Sequence, residues 1–187
     1  AWGWSENQDF FYATAGARFR VSPGAFFQAN RFLLDELVQS VAAGRVGSLA
    51  LDLYSGVGLF AAALARSFKK VIAVESSRQS FSDLEHNSPV NVQPVRATAA
   101  EFLEKRAKKL SPGLVVVDPP REGLGDKVTR ALAVLAAPRL TCVSCDPATL
   151  SRDLRGLLES GYRVEEVHLV DLFPQTFHFE SMIQLVR

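Results

Sequence analysis

Apolar positions along this chain repeat with two different periods. Short, nearly continuous apolar runs of strand length lie at 48–54, 71–75, 92–95, 114–118 and 140–144, each closed by glycine, proline, serine or an acid. Between them, over 59–68, 78–87, 98–110, 128–135 and 147–160, apolar residues recur every three to four positions, the period of a helix packed on one side. Asp146 is a good N-cap for the last of these, Pro147 suits its first position, and Gly161 stops it. Upstream, the alternation through Phe10, Phe11, Tyr12, Ala17, Phe19 and Val21 predicts a hairpin turning at Gly16. After the punctuation Ser22-Pro23-Gly24, the spacing of Phe27, Leu33, Leu34, Leu37 and Val41 predicts a helix over 26–43, ended by Gly44 and Gly47. Downstream, 162–172 and 179–186 read as strands joined too tightly for a crossover helix, so they should pair antiparallel. Strands alternating with helices predict an α/β class: a mostly parallel sheet closed by a C-terminal antiparallel hairpin. Residues 1–47 form a hairpin and helix leading into a domain over 48–187.

Bulk composition narrows the functional classes. With 187 residues, 48% of them hydrophobic, the chain can bury one proper core with at most a small appendage. A net charge of +1 gives no overall footprint for a polyanion, so a nucleic acid would meet a local patch or a segment outside these residues. No apolar run is long enough for a bilayer and no secretory leader is visible, so the expected location is cytoplasmic. The chain starts at Ala1 rather than Met, which suggests a fragment or a trimmed chain.

Four stretches carry candidate chemistry. Asp52-x-Tyr54-x-Gly56-x-Gly58 follows a strand and opens a helix, so backbone can approach a ligand closely. It lacks the third glycine of the dinucleotide fingerprint and any lysine–serine pair, and an acid inside the turn repels phosphate. A cationic ligand fits better, and S-adenosylmethionine carries both a sulfonium and an amino group. Glu75, at the end of the next strand, is placed to take two ribose hydroxyls. Asp118-Pro119-Pro120-Arg121 holds a carboxylate on a rigid backbone. Asp-Pro-Pro before an aromatic is typical of amine methylation, but here Arg121 follows, and a plain strand terminator is the bland alternative. Cys145 falls at the carboxyl end of a strand, just before a helix N-terminus, which favours a thiolate; the bland alternative is a buried small hydrophobe. Cys142 lies back in the strand, too far for an unstrained bond to Cys145, and His86, His168 and His178 lack paired zinc spacing. Finally, Glu180 stands between Phe179 and Met182 with only Ser181 for polar company, a setting that raises a carboxyl's pKa and suits a general base.

These stretches, in this order, resemble RNA uracil-5 methyltransferases, enzymes that make 5-methyluridine in transfer or ribosomal RNA. The resemblance is carried by Ser22-Pro-Gly-Ala-Phe-Phe-Gln-Ala-Asn30, Asp52-Leu-Tyr-Ser-Gly-Val-Gly58, Asp118-Pro-Pro-Arg121, Ser144-Cys-Asp-Pro-Ala-Thr-Leu150 and Asp171-Leu-Phe-Pro-Gln-Thr176 through His178 and Glu180. It implies a Rossmann-like class I methyltransferase sheet. It implies that Gln28, Tyr54, Glu75 and Asp118 bind S-adenosylmethionine, that Cys145 is the nucleophile, and that Glu180 takes the proton from carbon 5. The chain departs from the family pattern at Leu59, where asparagine is common, and is short between Asn87 and Val92. The family also implies an RNA substrate, a monomer, and an N-terminal RNA-binding domain that these residues do not contain. Phe173, Phe177 and Phe179 are candidates to stack on the target base, and Lys105 to Lys109 are a candidate phosphate contact. Two other functions remain open on sequence: an amine methyltransferase built on Asp118, and a non-catalytic RNA-binding protein with the same fold.

Overall fold

The structure, a computed structural model, describes residues 10–14, 16–28, 30, 32–176 and 179–187. A hairpin comes first, β1 (Phe10–Thr14) and β2 (Ala17–Val21), paired antiparallel with Phe10 opposite Val21. The rest is built on seven strands. In chain order the elements are α1 (Leu34–Ala42), β3 (Gly47–Leu53), α2 (Leu59–Leu64), β4 (Phe68–Glu75), α3 (Arg78–Asn87), β5 (Val92–Arg96) and α4 (Ala99–Arg106). Then follow β6 (Leu114–Val117), α5 (Gly125–Leu135), β7 (Arg139–Ser144), α6 (Pro147–Glu159), β8 (Arg163–Val170) and β9 (Glu180–Val186). The sheet order is β5-β4-β3-β6-β7-β9-β8. The first five strands in that order run parallel, and β9 runs antiparallel between β7 and β8.

Two apolar cores sandwich the sheet. On one face Leu34, Leu37 and Val41 of α1, the alanine-rich α2, Leu84 of α3 and Phe19 of the hairpin pack together. On the other, Phe102, Leu103, Val128, Leu132, Leu150 and Leu157 bring in α4, α5 and α6. Central strands buried on both faces explain why their sequences read as unbroken apolar runs. The predicted class and mostly parallel sheet are therefore found as expected.

Several boundaries differ from the sequence reading, among them α2, which ends at Leu64 rather than Phe68, and α5, which begins at Gly125 rather than Val128. The helix predicted from Phe26 begins only at Leu34. The Asn30 side chain accepts from the Phe32 N–H at 3.0 Å and donates to the Leu172 carbonyl at 3.1 Å, giving the backbone a partner other than a helix. β4 begins at Phe68 rather than Val71, because Phe68 already pairs with Gly47. Asp52 lies inside β3, opposite Ala73 and Val116, rather than in the glycine turn.

Candidate active site

The chain order changes direction across the sheet between β3 and β6, and ligands bind at the carboxyl ends of strands at such a switch. β3 delivers Tyr54 there. Its φ of 63° is left-handed, a strained conformation for a bulky residue and one found at functional sites. Gly58 follows at φ 98° as the residue before α2, and a Cβ there would lie 2.9 Å from Leu84. Only glycine lets this turn pack against α3.

Register brings Cys145 and Glu180 together. Ser144 of β7 pairs with Ser181 of β9, so Cys145 and Glu180 occupy the next rung, just past the end of the ladder. Alternation then places Asp52, Asp118, Cys145 and Glu180 on the face covered by α1, α2 and the hairpin. Cys142 packs in the opposite core, so the two cysteines face opposite sides of the sheet and both are free thiols. Asp146 caps α6 as predicted, accepting from the Thr149 N–H at 2.9 Å, with Pro147 in the first turn.

Gln28, Tyr54, Glu75, Asp118, Cys145 and Glu180 all line one cavity of about 670 Å³. Gln28 is 7% exposed, and its Oε1 has no hydrogen-bond partner among the described residues. The Glu75 carboxylate accepts from the Gly56 N–H at 2.9 Å and the Ser77 N–H at 2.7 Å. One lone pair on each of its oxygens remains for a ligand. Phe26 and Phe27 also line the cavity, inside the stretch read as helix. Their flanking serine, proline, glycine and asparagine were the signal for a loop. Phe173 lines it too; Phe177 and His178 lie outside the described residues. Lys105 to Lys109 follow α4 to the opposite, amino end of the sheet, far from the cavity. Among the described residues, no group of three His, Cys, Asp or Glu side chains is arranged to hold a metal.

Acids dominate the electrostatics. Burial pushes the Glu180 carboxyl up to about 7. Burial, then Glu180, then Asp52 push Asp118 well above the usual carboxylate range. Asp52 beneath them is fully buried, and burial pushes it up to about 7; the nearby Ser55 hydroxyl and Ala61 N–H draw it back in part without hydrogen-bonding its carboxyl oxygens. Burial and Glu180 also raise the Cys145 thiol, while Arg121 draws it back. The thiolate predicted from the helix N-terminus is therefore opposed by its surroundings, first by burial and then by a carboxyl that the local sequence does not show.

A sequence model of the family described as tRNA (Uracil-5-)-methyltransferase matches residues 6–187. An uncharacterised RNA methyltransferase of Thermotoga maritima is 37% identical over 177 residues, which cover 91% of this chain and 40% of the relative. One from Streptomyces coelicolor is 40% identical over 88% of this chain and 37% of its own. The chain thus spans about two fifths of the length of these relatives. Among solved structures, the Pyrococcus abyssi tRNA (uracil-54, C5)-methyltransferase in complex with S-adenosyl-L-homocysteine superposes with a TM-score of 0.82 at 29% identity, covering 95% of this chain and 44% of that one. A putative S-adenosylmethionine-dependent methyltransferase from Streptococcus mutans, at 14% identity and a TM-score of 0.74, shares the fold. No helix among the described residues is long and apolar enough to cross a membrane. On the match over residues 6–187, the chain belongs to the tRNA (uracil-5-)-methyltransferase family.

Proposed function

We propose that this chain is the catalytic part of an enzyme that methylates carbon 5 of a uridine in RNA, using S-adenosylmethionine and a covalent bond to Cys145. The observation that carries the reading is the rung shared by Cys145 and Glu180 at the rim of the cavity. Family membership and the relatives' names support the RNA substrate. Transfer or ribosomal RNA both remain within this proposal, as does a cytoplasmic location.

The cavity residues suit the cofactor. An amide oxygen left unpaired in Gln28, free lone pairs on Glu75 and a glycine turn open to a ligand fit its amino, ribose and chain groups. Tyr54 and Asp118 complete the proposed holding set. Bound there, S-adenosylmethionine supplies an electrophilic methyl group to carbon 5. The chain's own residues do the rest. The Cys145 thiolate forms a bond to carbon 6, and the ring's π electrons move onto the carbon-4 oxygen as an enolate, which makes carbon 5 nucleophilic. Once carbon 5 carries the methyl group, Glu180 takes its proton. The electrons of that C–H bond restore the ring double bond, and the sulfur–carbon bond breaks to return the thiolate. A base near 7 is matched to that proton transfer at neutral pH.

The test is trapping. Fluorine at carbon 5 cannot leave as a proton, so RNA bearing 5-fluorouridine and S-adenosylmethionine should leave a methylated adduct on Cys145. Intact mass and peptide mapping read it. An adduct elsewhere, or one that persists in Cys145→Ala, defeats the mechanism.

A further inference from the structure

Two walls of the cavity come from parts of the chain that are far apart. One is the turn over 54–57 between β3 and α2; the other is the stretch through Gly24, Phe26, Phe27 and Gln28 that leaves β2. The turn is tied at its base, where the Ser55 N–H donates to the Val74 carbonyl at 3.0 Å and the Gly58 N–H donates to the Ser55 carbonyl at 2.8 Å. Among the described residues β2 pairs with β1 alone, so no strand ladder joins the second wall to the seven-stranded sheet.

One side chain bridges the two. Asn87, the last residue of α3, accepts from the Arg20 N–H at 2.8 Å and donates to the Arg20 carbonyl at 2.9 Å. The same amide donates to the Val57 carbonyl at 2.9 Å. Val57 stands between the two glycines of the turn, and Arg20 lies in β2, two residues before Ser22, which Asp83 of the same helix holds. An amide suits this place because it donates and accepts across one rigid plane; a carboxylate could not donate and an apolar side chain could do neither. Asn87 does not itself line the cavity. We infer that Asn87 is a positioning residue for the cofactor: it fixes the glycine turn relative to the hairpin stretch, and so sets the affinity of the cavity for S-adenosylmethionine without touching it. The molecule supplies its own control. Four residues on, Asn91 donates to the Ala65 carbonyl at 2.8 Å and the Phe68 carbonyl at 2.9 Å, and neither of those residues lines the cavity. The proposal rests on the cavity being the cofactor site.

The experiment measures S-adenosyl-L-homocysteine binding by calorimetry on the full-length protein that carries this chain, with the unfolding midpoint of each variant beside it. Asn87→Ala should raise the dissociation constant about tenfold, because walls free to drift apart bind only for the fraction of time they are in place. Asn91→Ala should lower the unfolding midpoint and leave the dissociation constant unchanged. A merely structural role for Asn87 would move the midpoint alone, or would weaken binding in step with the midpoint in both variants; either result overturns the proposal. Asn87→Asp keeps the acceptor for the Arg20 N–H and loses both donations, and it decides the matter in the same way where Asn87→Ala fails to fold. Glu75→Ala reports on the cavity separately. If it leaves binding intact, the cofactor lies elsewhere, and the reading of the cavity and this proposal fall together. If it abolishes binding while Asn87→Ala leaves it intact, only the role of Asn87 is overturned.

Discussion

Two carboxyls in this molecule are equally hidden from water and are treated in opposite ways. Asp83 and Asp52 both have 0% of their surface exposed. Asp83 receives the Arg20 Nε, the Ser22 N–H and the Ser22 hydroxyl, each at 2.7 Å. With Asn87, which accepts from the Arg20 N–H and donates to the Arg20 and Val57 carbonyls, it rivets the hairpin to α3. Asp52 has no such set; neither of its carboxyl oxygens has a hydrogen-bond partner among the described residues, and it lies below Asp118 and Glu180. The joint resolves the cost of a buried charge by pairing it, and the cavity floor leaves it unresolved. An unresolved charge is tolerated where a ligand or a reaction uses it, which is why the contrast points to the cavity.

The contrast can be pressed hardest at Glu180. In Glu180→Gln, turnover should fall by about a hundredfold to ten-thousandfold, while the unfolding midpoint at pH 8 holds or rises. The methylated Cys145 adduct should then accumulate on ordinary RNA, visible by intact mass. A stability loss in step with activity would place Glu180 with the structural carboxyls instead. Next in size, Asp83→Ala should cost about 3 kcal/mol in urea unfolding, because it strands the Arg20 guanidinium and two Ser22 donors at a buried joint. The smallest effect belongs to Asp52→Asn. Folded Asp52 holds its proton up to about 7, whereas the unfolded chain releases it near 3.8. The folded state therefore binds the extra proton in between, and stability falls as pH rises through that window. Asp52→Asn should flatten this fall: the unmet hydrogen bonds of the buried amide cost about 2 kcal/mol at pH 4, and loss of the ionisation penalty turns this into a gain of about 2 kcal/mol at pH 8. If it instead costs as much as Asp83→Ala, the two carboxyls are not different in kind.

Local signals carried most of the fold. The period of each run gave every strand of the sheet, and Asp146 with Pro147 marked the start of α6 because a cap acts within one turn. Where a residue's state depends on a neighbour far along the chain, the sequence was silent. The stretch from Phe26 to Leu33 reads as helix by spacing, but the Asn30 side chain is held by the Leu172 carbonyl. The Cys145 thiol looks activated from its own helix alone, and it takes burial, then Glu180 thirty-five positions on, to reverse that. The basic stretch after α4 is plain in the sequence; only the topology shows that it faces away from the cavity. The six site residues came from resemblance and motif, and the described structure brings all six to one cavity.

The insertion of β9 between β7 and β8 has a consequence for how this domain is made. Chains leave the ribosome from the N-terminus, so β7 and β8 are complete while the strand that joins them is still being synthesised. Until it arrives, β8 has no neighbour and β7 presents a bare edge to the crowded cell. Glu180 is the first residue of that late strand. Completing the sheet and delivering the proposed base are thus one event, and a nascent chain stopped at residue 179 has neither.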